Sequence, residues 1–370
     1  MTFVPSFSRR AVLAGLSAGV AAAALPLARG RAAGGLTVGF IYVGARDDYG
    51  YNQAHAAGAA AVKALGIKVV EEERVPETID VEKTMESMIN LDGAALLFPT
   101  SFGYFDPHIL KLAKKYQDVT FLHCGGLWHD GLPANTHSYF GYIDEAEYLA
   151  GIVAAHVTKT RKFGFVAAKP IPQVLRNINA FTLGARSIDP TITTQVIFTG
   201  DWSMPVKEAE ATNSLADQGV DVVTCHVDSP KVVIETAEKR GLFTTGYHAN
   251  QAVLAPKGYL TGAEWNWESL YPTLIGMFQA GKPIPGLVRG GLKAGFVKLS
   301  PYGAVVPDAA RAAAEAIKAK FMGDGFAIFA GEIKDNKGAV VIPAGTVRGQ
   351  TDIELEKMSY LVEGVIGAAA

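Results

Sequence analysis

Cysteine is scarce: the 370 residues hold two, Cys124 and Cys225, far apart in the chain. That excludes a disulfide-stapled scaffold and any CxxC metal or redox motif. Both cysteines end apolar runs, so buried or cleft-lining thiols are expected. A surplus of either charge is also missing. The 34 Lys and Arg meet 36 Asp and Glu, a net charge of −2, which leaves no broad field for nucleic acid or anionic lipid. Beyond the N-terminus no apolar run approaches the ~20 residues that cross a bilayer. GxSxG, HExxH, P-loop and GxGxxG motifs are absent. The eight histidines lack metal-ligand spacing. A Cys/His site would need His123 and Cys124 to meet Cys225 and His226 from a distant segment. Asp47 and Asp48 are adjacent, so in an extended turn they point apart; helix capping suits them better than acid–base chemistry. No enzyme, metal or cofactor is expected.

What is present is a chain with 49% hydrophobic residues and 40 glycines, long enough for two domains. Its first 33 residues read as an address. Ser8-Arg9-Arg10-Ala11-Val12-Leu13 resembles a twin-arginine export motif, a mildly apolar stretch follows, and small residues end it at Gly30-Arg31-Ala32-Ala33. No Cys lies there to carry a lipid. The expectation is a signal peptide over 1–33 and a periplasmic, exported, soluble protein without a lipid anchor.

From Leu36 onward, nine short apolar runs, from 36–43 to 259–261, alternate with amphipathic stretches such as 51–65, 145–158 and 173–187. This pattern predicts α/β architecture with doubly wound parallel sheets built from right-handed βαβ units. Nine strands suit two sheets better than one, hence two lobes with an interlobe cleft. Lobe one is expected over 34–142 plus about 264–300, and lobe two over 143–263 plus about 301–370. Open α/β sheets bind ligands beyond the carboxyl ends of their strands, so the residues after each run carry the chemistry. Those segments contain all four tryptophans. Tyr51, Phe102, Trp128, Trp202 and Trp265 are the candidate stacking walls, and Asn52, Asp228, His248, Asn250 and Glu264 the candidate hydrogen-bonding groups.

At these strand ends the chain resembles the basic membrane protein, or purine-nucleoside-receptor-like, family of solute-binding proteins. The matching pieces are Asp48-Tyr49-Gly50-Tyr51-Asn52-Gln53, Phe140-Gly141-Tyr142 with Glu145-Ala146-Glu147-Tyr148-Leu149-Ala150-Gly151, Lys162-Phe163-Gly164-Phe165-Val166 and Asn179-Ala180-Phe181-Thr182-Leu183-Gly184-Ala185. The resemblance implies a type I periplasmic-binding fold with three crossovers, no catalysis, a purine-type ligand, and an ABC permease and ATPase complex as partner of a monomer. Nucleoside-binding members carry charged groups for the sugar where this chain has Cys124, His248 and Trp265. A free nucleobase of the adenine or guanine type is therefore expected. The alternatives are a purine nucleoside, presentation of a ligand to a membrane sensor, and last a nucleoside hydrolase.

Overall fold

The computed structural model describes residues 35–323 and 325–369. The expected signal peptide, 1–33, lies outside the described residues. The first half runs β1 (Thr37–Ile41), α1 (Tyr51–Ala64), β2 (Lys68–Glu72), α2 (Ile79–Asn90), β3 (Leu96–Pro99), α3 (Leu110–Lys115), β4 (Thr120–Cys124) and β5 (Thr136–Gly141). The second half continues with α4 (Asp144–Ala155), β6 (Lys162–Ala167), α5 (Pro172–Arg186), β7 (Thr193–Phe198), α6 (Pro205–Asp217), β8 (Val222–His226), α7 (Lys231–Lys239), β9 (Phe243–His248) and β10 (Tyr259–Trp265). Then come α8 (Trp267–Gln279), β11 (Leu287–Gly290), β12 (Val297–Leu299) and α9 (Asp308–Met322).

Two sheets form. The first has order β11-β5-β4-β3-β1-β2, with every pair parallel. The second has order β12-β10-β9-β8-β6-β7, extended by a short C-terminal strand, Val365–Ile366; only β12 runs antiparallel. All five residues of β1 and of β8 are buried, as expected of parallel strands covered on both faces. That double burial is why these strands read as largely apolar runs.

Three crossovers join the sheets. The chain leaves the first sheet after β5, returns after β10 through α8, which packs on α1, and leaves again between β11 and β12. The return ends with β12, residues 297–299, which pair with β10 in the second sheet. Four elements of the crossover region, β5, β11, β12 and α8, were not among the runs read from the sequence. β5 (THSYFG) mixes polar and apolar residues, and α8 carries Pro272 internally, so neither shows a clean period.

Two glycines fix how α4 meets α5 beside the first crossover. A Cβ on Gly151 would lie 2.1 Å from the Phe181 carbonyl oxygen, and one on Gly184 would lie 2.0 Å from that of Tyr148. The two backbones touch because neither residue has a side chain.

Candidate functional site

The carboxyl ends of the strands from both sheets face each other across a cleft, and a cavity of about 300 Å³ lies between them. Tyr51 at the start of α1, Phe102 after β3, Phe140 on β5, Trp202 after β7 and Trp265 ending β10 supply its aromatic walls. Glu77, Ser101, Gln173, Asp201, Ser203 and Asp228 supply its polar groups, with His226 and His248 at the ends of β8 and β9. No Lys or Arg lines it.

The sequence-predicted residues divide into two sets. Tyr51, Phe102, Trp202, Asp228, His248 and Trp265 line this one cavity. Asn52, Trp128, Asn250 and Glu264 lie outside it. Asn52 is buried and ties the first loop, its Nδ2 donating to Asp48 Oδ2 at 2.8 Å and its Oδ1 accepting from Gly44 N at 3.1 Å. Trp128 sits against Gly286. Asn250 Oδ1 accepts from Ala252 N at 2.9 Å. Glu264 accepts from Ser300 Oγ at 2.5 Å and pairs with Lys298 at 3.5 Å. A strand end has two faces, and its position in the chain does not say which face a side chain takes. Phe140, Gln173, Glu77 and His226 are cavity residues that the sequence reading did not select. His226 and Phe140 lie at or near strand ends, which was the available signal; Glu77, in the loop before α2, gave none.

Loop chemistry holds the walls in place. Asp48 caps α1: Oδ1 accepts from Gly50 N at 2.8 Å and Gln53 N at 2.9 Å, and Oδ2 from Asn52 N at 3.1 Å. Tyr51 OH donates to the Thr100 carbonyl at 2.5 Å, which orients the ring. Trp265 Nε1–H donates to His248 Nδ1 at 2.7 Å. The neutral imidazole therefore carries its proton on Nε2. Burial, followed by the neighbouring His226 and His55, lowers the His248 pKa, so the ring stays uncharged. Burial likewise pulls His226 down to about 3 and pushes the Cys124 thiol up to about 12. Both cysteines are buried free thiols.

The carboxylates of the cavity differ. Glu77 Oε1 accepts from Gly103 N at 2.7 Å and from Ser101 Oγ. Asp201 pairs with Lys169 at 2.8 Å. Asp228 has no cationic partner among the ion pairs of the described residues. Burial first, then the surrounding carboxylates led by Asp48, raise it to about 8. The shift favours the protonated carboxyl near neutral pH.

The lobes touch at the cleft rim. Tyr51 N donates to the Asp228 carbonyl at 2.9 Å, Ser229 Oγ to the Asp48 carbonyl at 3.0 Å, and Gln251 Nε2 to the Tyr49 carbonyl at 2.6 Å. This is a closed arrangement of two lobes around a ring-lined cavity.

The profile of the PnrA-like ABC transporter substrate-binding proteins matches residues 36–322. The chain belongs to that family. It is 34% identical over 333 residues to a purine-binding protein of Brucella abortus, covering 89% of this chain and 93% of the relative. It is 31% identical over 330 residues to a putative ABC transporter glucose-binding protein of Haloferax volcanii, covering 89% and 80%. Among solved structures, a transcriptional activator from Bacillus halodurans superposes with a TM-score of 0.69 at 25% identity, over 78% of this chain and 99% of that one. A solute-binding protein of an ABC transporter system from Conexibacter woesei gives 0.66 at 22% identity, over 79% and 97%. The fold is the type I periplasmic-binding arrangement expected from the sequence. Among the described residues no helix is long and apolar enough to cross a membrane, and no three His, Cys, Asp or Glu gather as metal ligands.

Proposed function

We propose that this substrate-binding protein captures a free purine base in the periplasm and delivers it to an ABC permease and ATPase complex. One observation carries the choice of base. The indole of Trp265 and the imidazole of His248, joined at 2.7 Å, face the cavity as uncharged rings, and Cys124 beside them is a neutral thiol. A sugar needs partners for its hydroxyls, since each buried hydroxyl left unpaired costs about 1–3 kcal/mol. A planar base needs rings to stack on. Protonated Asp228 presents an O–H donor beside a C=O acceptor, which complements an amino group next to a ring nitrogen, as in adenine. The Brucella abortus relative, named as purine-binding, supports the same ligand class.

A purine nucleoside is the second reading. A compartment of about 400 Å³ adjoins the first and shares Phe102, Gly125, Phe140, Ile171 and Gln173 with it. It has room for a ribose. Titration calorimetry separates the two: adenine or guanine is expected to bind at least about tenfold more tightly than adenosine or guanosine, a difference of about 1.4 kcal/mol. Equal affinities overturn the base reading. Binding of neither class overturns the purine reading and leaves the family membership standing.

A further inference from the structure

The matched family profile ends at residue 322, yet 325–369 are built into the molecule. The far end of this segment is fixed to the second lobe. Val365–Ile366 pairs with β7. Asn179 on α5 donates to the Tyr360 carbonyl at 2.9 Å and accepts from Val362 N at 2.9 Å. Leu355, Met358, Leu361 and Val362 are buried.

Between these anchors, residues 350–357 reach across to the first lobe. Their turn is held locally: Asp352 accepts from Glu354 N at 3.0 Å and pairs with Arg348 at 3.0 Å. Glu356 forms an ion pair with Arg289 on β11, and Arg289 Nη2 also donates to the Gly126 carbonyl at 3.2 Å. Gln350 Nε2 donates to Glu145 Oε1 at 2.7 Å, while Glu145 Oε2 accepts from Leu292 N, in the third crossover, at 2.6 Å. The same segment closes the second compartment of the cleft with Leu355 and Glu356.

We propose that residues 350–357 form a strap that ties the lobes together beside the crossovers and limits how far the cleft opens. A segment anchored only on the second lobe has no packing reason to place a carboxylate on a first-lobe arginine. Here that pair is sheltered, with side-chain exposures of 16% for Arg289 and 28% for Glu356. Rotation about the crossovers that opens the cleft must separate Glu356 on the strap from Arg289 on β11, whereas Gln350 and Glu145 on α4 move together with the second lobe. The inference does not depend on which ligand fills the cavity.

Hydrogen exchange on the ligand-free, full chain tests it. With Glu356→Gln, amides across 287–296 and 125–127 are expected to exchange about three- to fivefold faster, the range of one sheltered ion pair. Amides of β7, residues 193–198, where the far end of the tail pairs, are expected to keep the wild-type rate. On the wild-type protein, 1 M NaCl should accelerate the same first-lobe segments, and this needs no variant to fold. Unchanged exchange at 287–296 in both experiments, or equal acceleration in 193–198, overturns the strap and leaves the tail as packing alone.

Discussion

Closure can be blocked at a single atom. Gly50 faces the second lobe where the rims meet, and a Cβ added there would lie 2.1 Å from the Asp228 carbonyl oxygen and 2.6 Å from Pro230 Cδ. The first contact is about 1.3 Å shorter than the 3.4 Å at which ordinary van der Waals contact begins. One partner is backbone and the other a proline ring, so neither turns aside. Gly50 itself has φ −148° and ψ −131°. Gly50→Ala should therefore hold the rims apart, and thermal unfolding of the ligand-free protein checks that the lobes themselves stay folded. The three rim hydrogen bonds then lengthen beyond use: Tyr51 N to Asp228, Ser229 to Asp48 and Gln251 to Tyr49. At about 1 kcal/mol net for each, the closed state loses about 3 kcal/mol, and ligand affinity falls about 150-fold. Titration calorimetry with adenine reads the affinity, and solution scattering reads whether the liganded protein stays expanded. Wild-type affinity within threefold, together with a fully contracted liganded form, would refute the reasoning.

Asp228→Asn tests the protonated acid. The wild-type carboxyl loses its O–H donor as pH rises through about 8, so adenine affinity should fall about tenfold between pH 7 and pH 9.5; the amide keeps a donor and an acceptor and should give a flat profile. The sign for folding is the same: the folded state holds a proton that the unfolded chain has shed, so this group's contribution to stability falls as pH climbs from about 4 to about 8. Trp202→Ala removes one wall and should weaken base binding by about 1–3 kcal/mol with little change in melting temperature, since Trp202 is half-buried on a loop. Gly151→Ala should do the reverse, lowering stability by about 1–3 kcal/mol in thermal unfolding because α4 and α5 must separate; an unchanged melting temperature would show that the helix pair has slack.

Much of this molecule was legible in one dimension because its parallel strands are buried on both faces. Runs such as TVGFI and VVTCH are buried along their whole length, and the alternation of strand and helix allows few topologies. The rule that ligands sit beyond strand carboxyl ends then brought Tyr51, Phe102, Trp202, Asp228, His248 and Trp265 into view before any geometry. Asn52 and Glu264 satisfied the same rule and are spoken for by Asp48, Gly44, Ser300 and Lys298. Their chemistry is indistinguishable, as sequence, from that of Asp228, whose carboxyl lacks such a partner. Which polar side chain faces the cavity depends on the face it takes at the strand end, and on what the other lobe brings opposite.

The local pattern of the chain determined two lobes, most of their strands and the aromatic character of the cleft, because periodicity is a property of neighbouring residues. Tertiary structure alone decided the rest. The His248–Trp265 pair, the rise of Asp228 to about 8 and the reach of Glu356 to Arg289 each join segments that are separate in the chain. Coulomb energy, desolvation and hydrogen bonding depend on distance through space, which the order of residues does not contain.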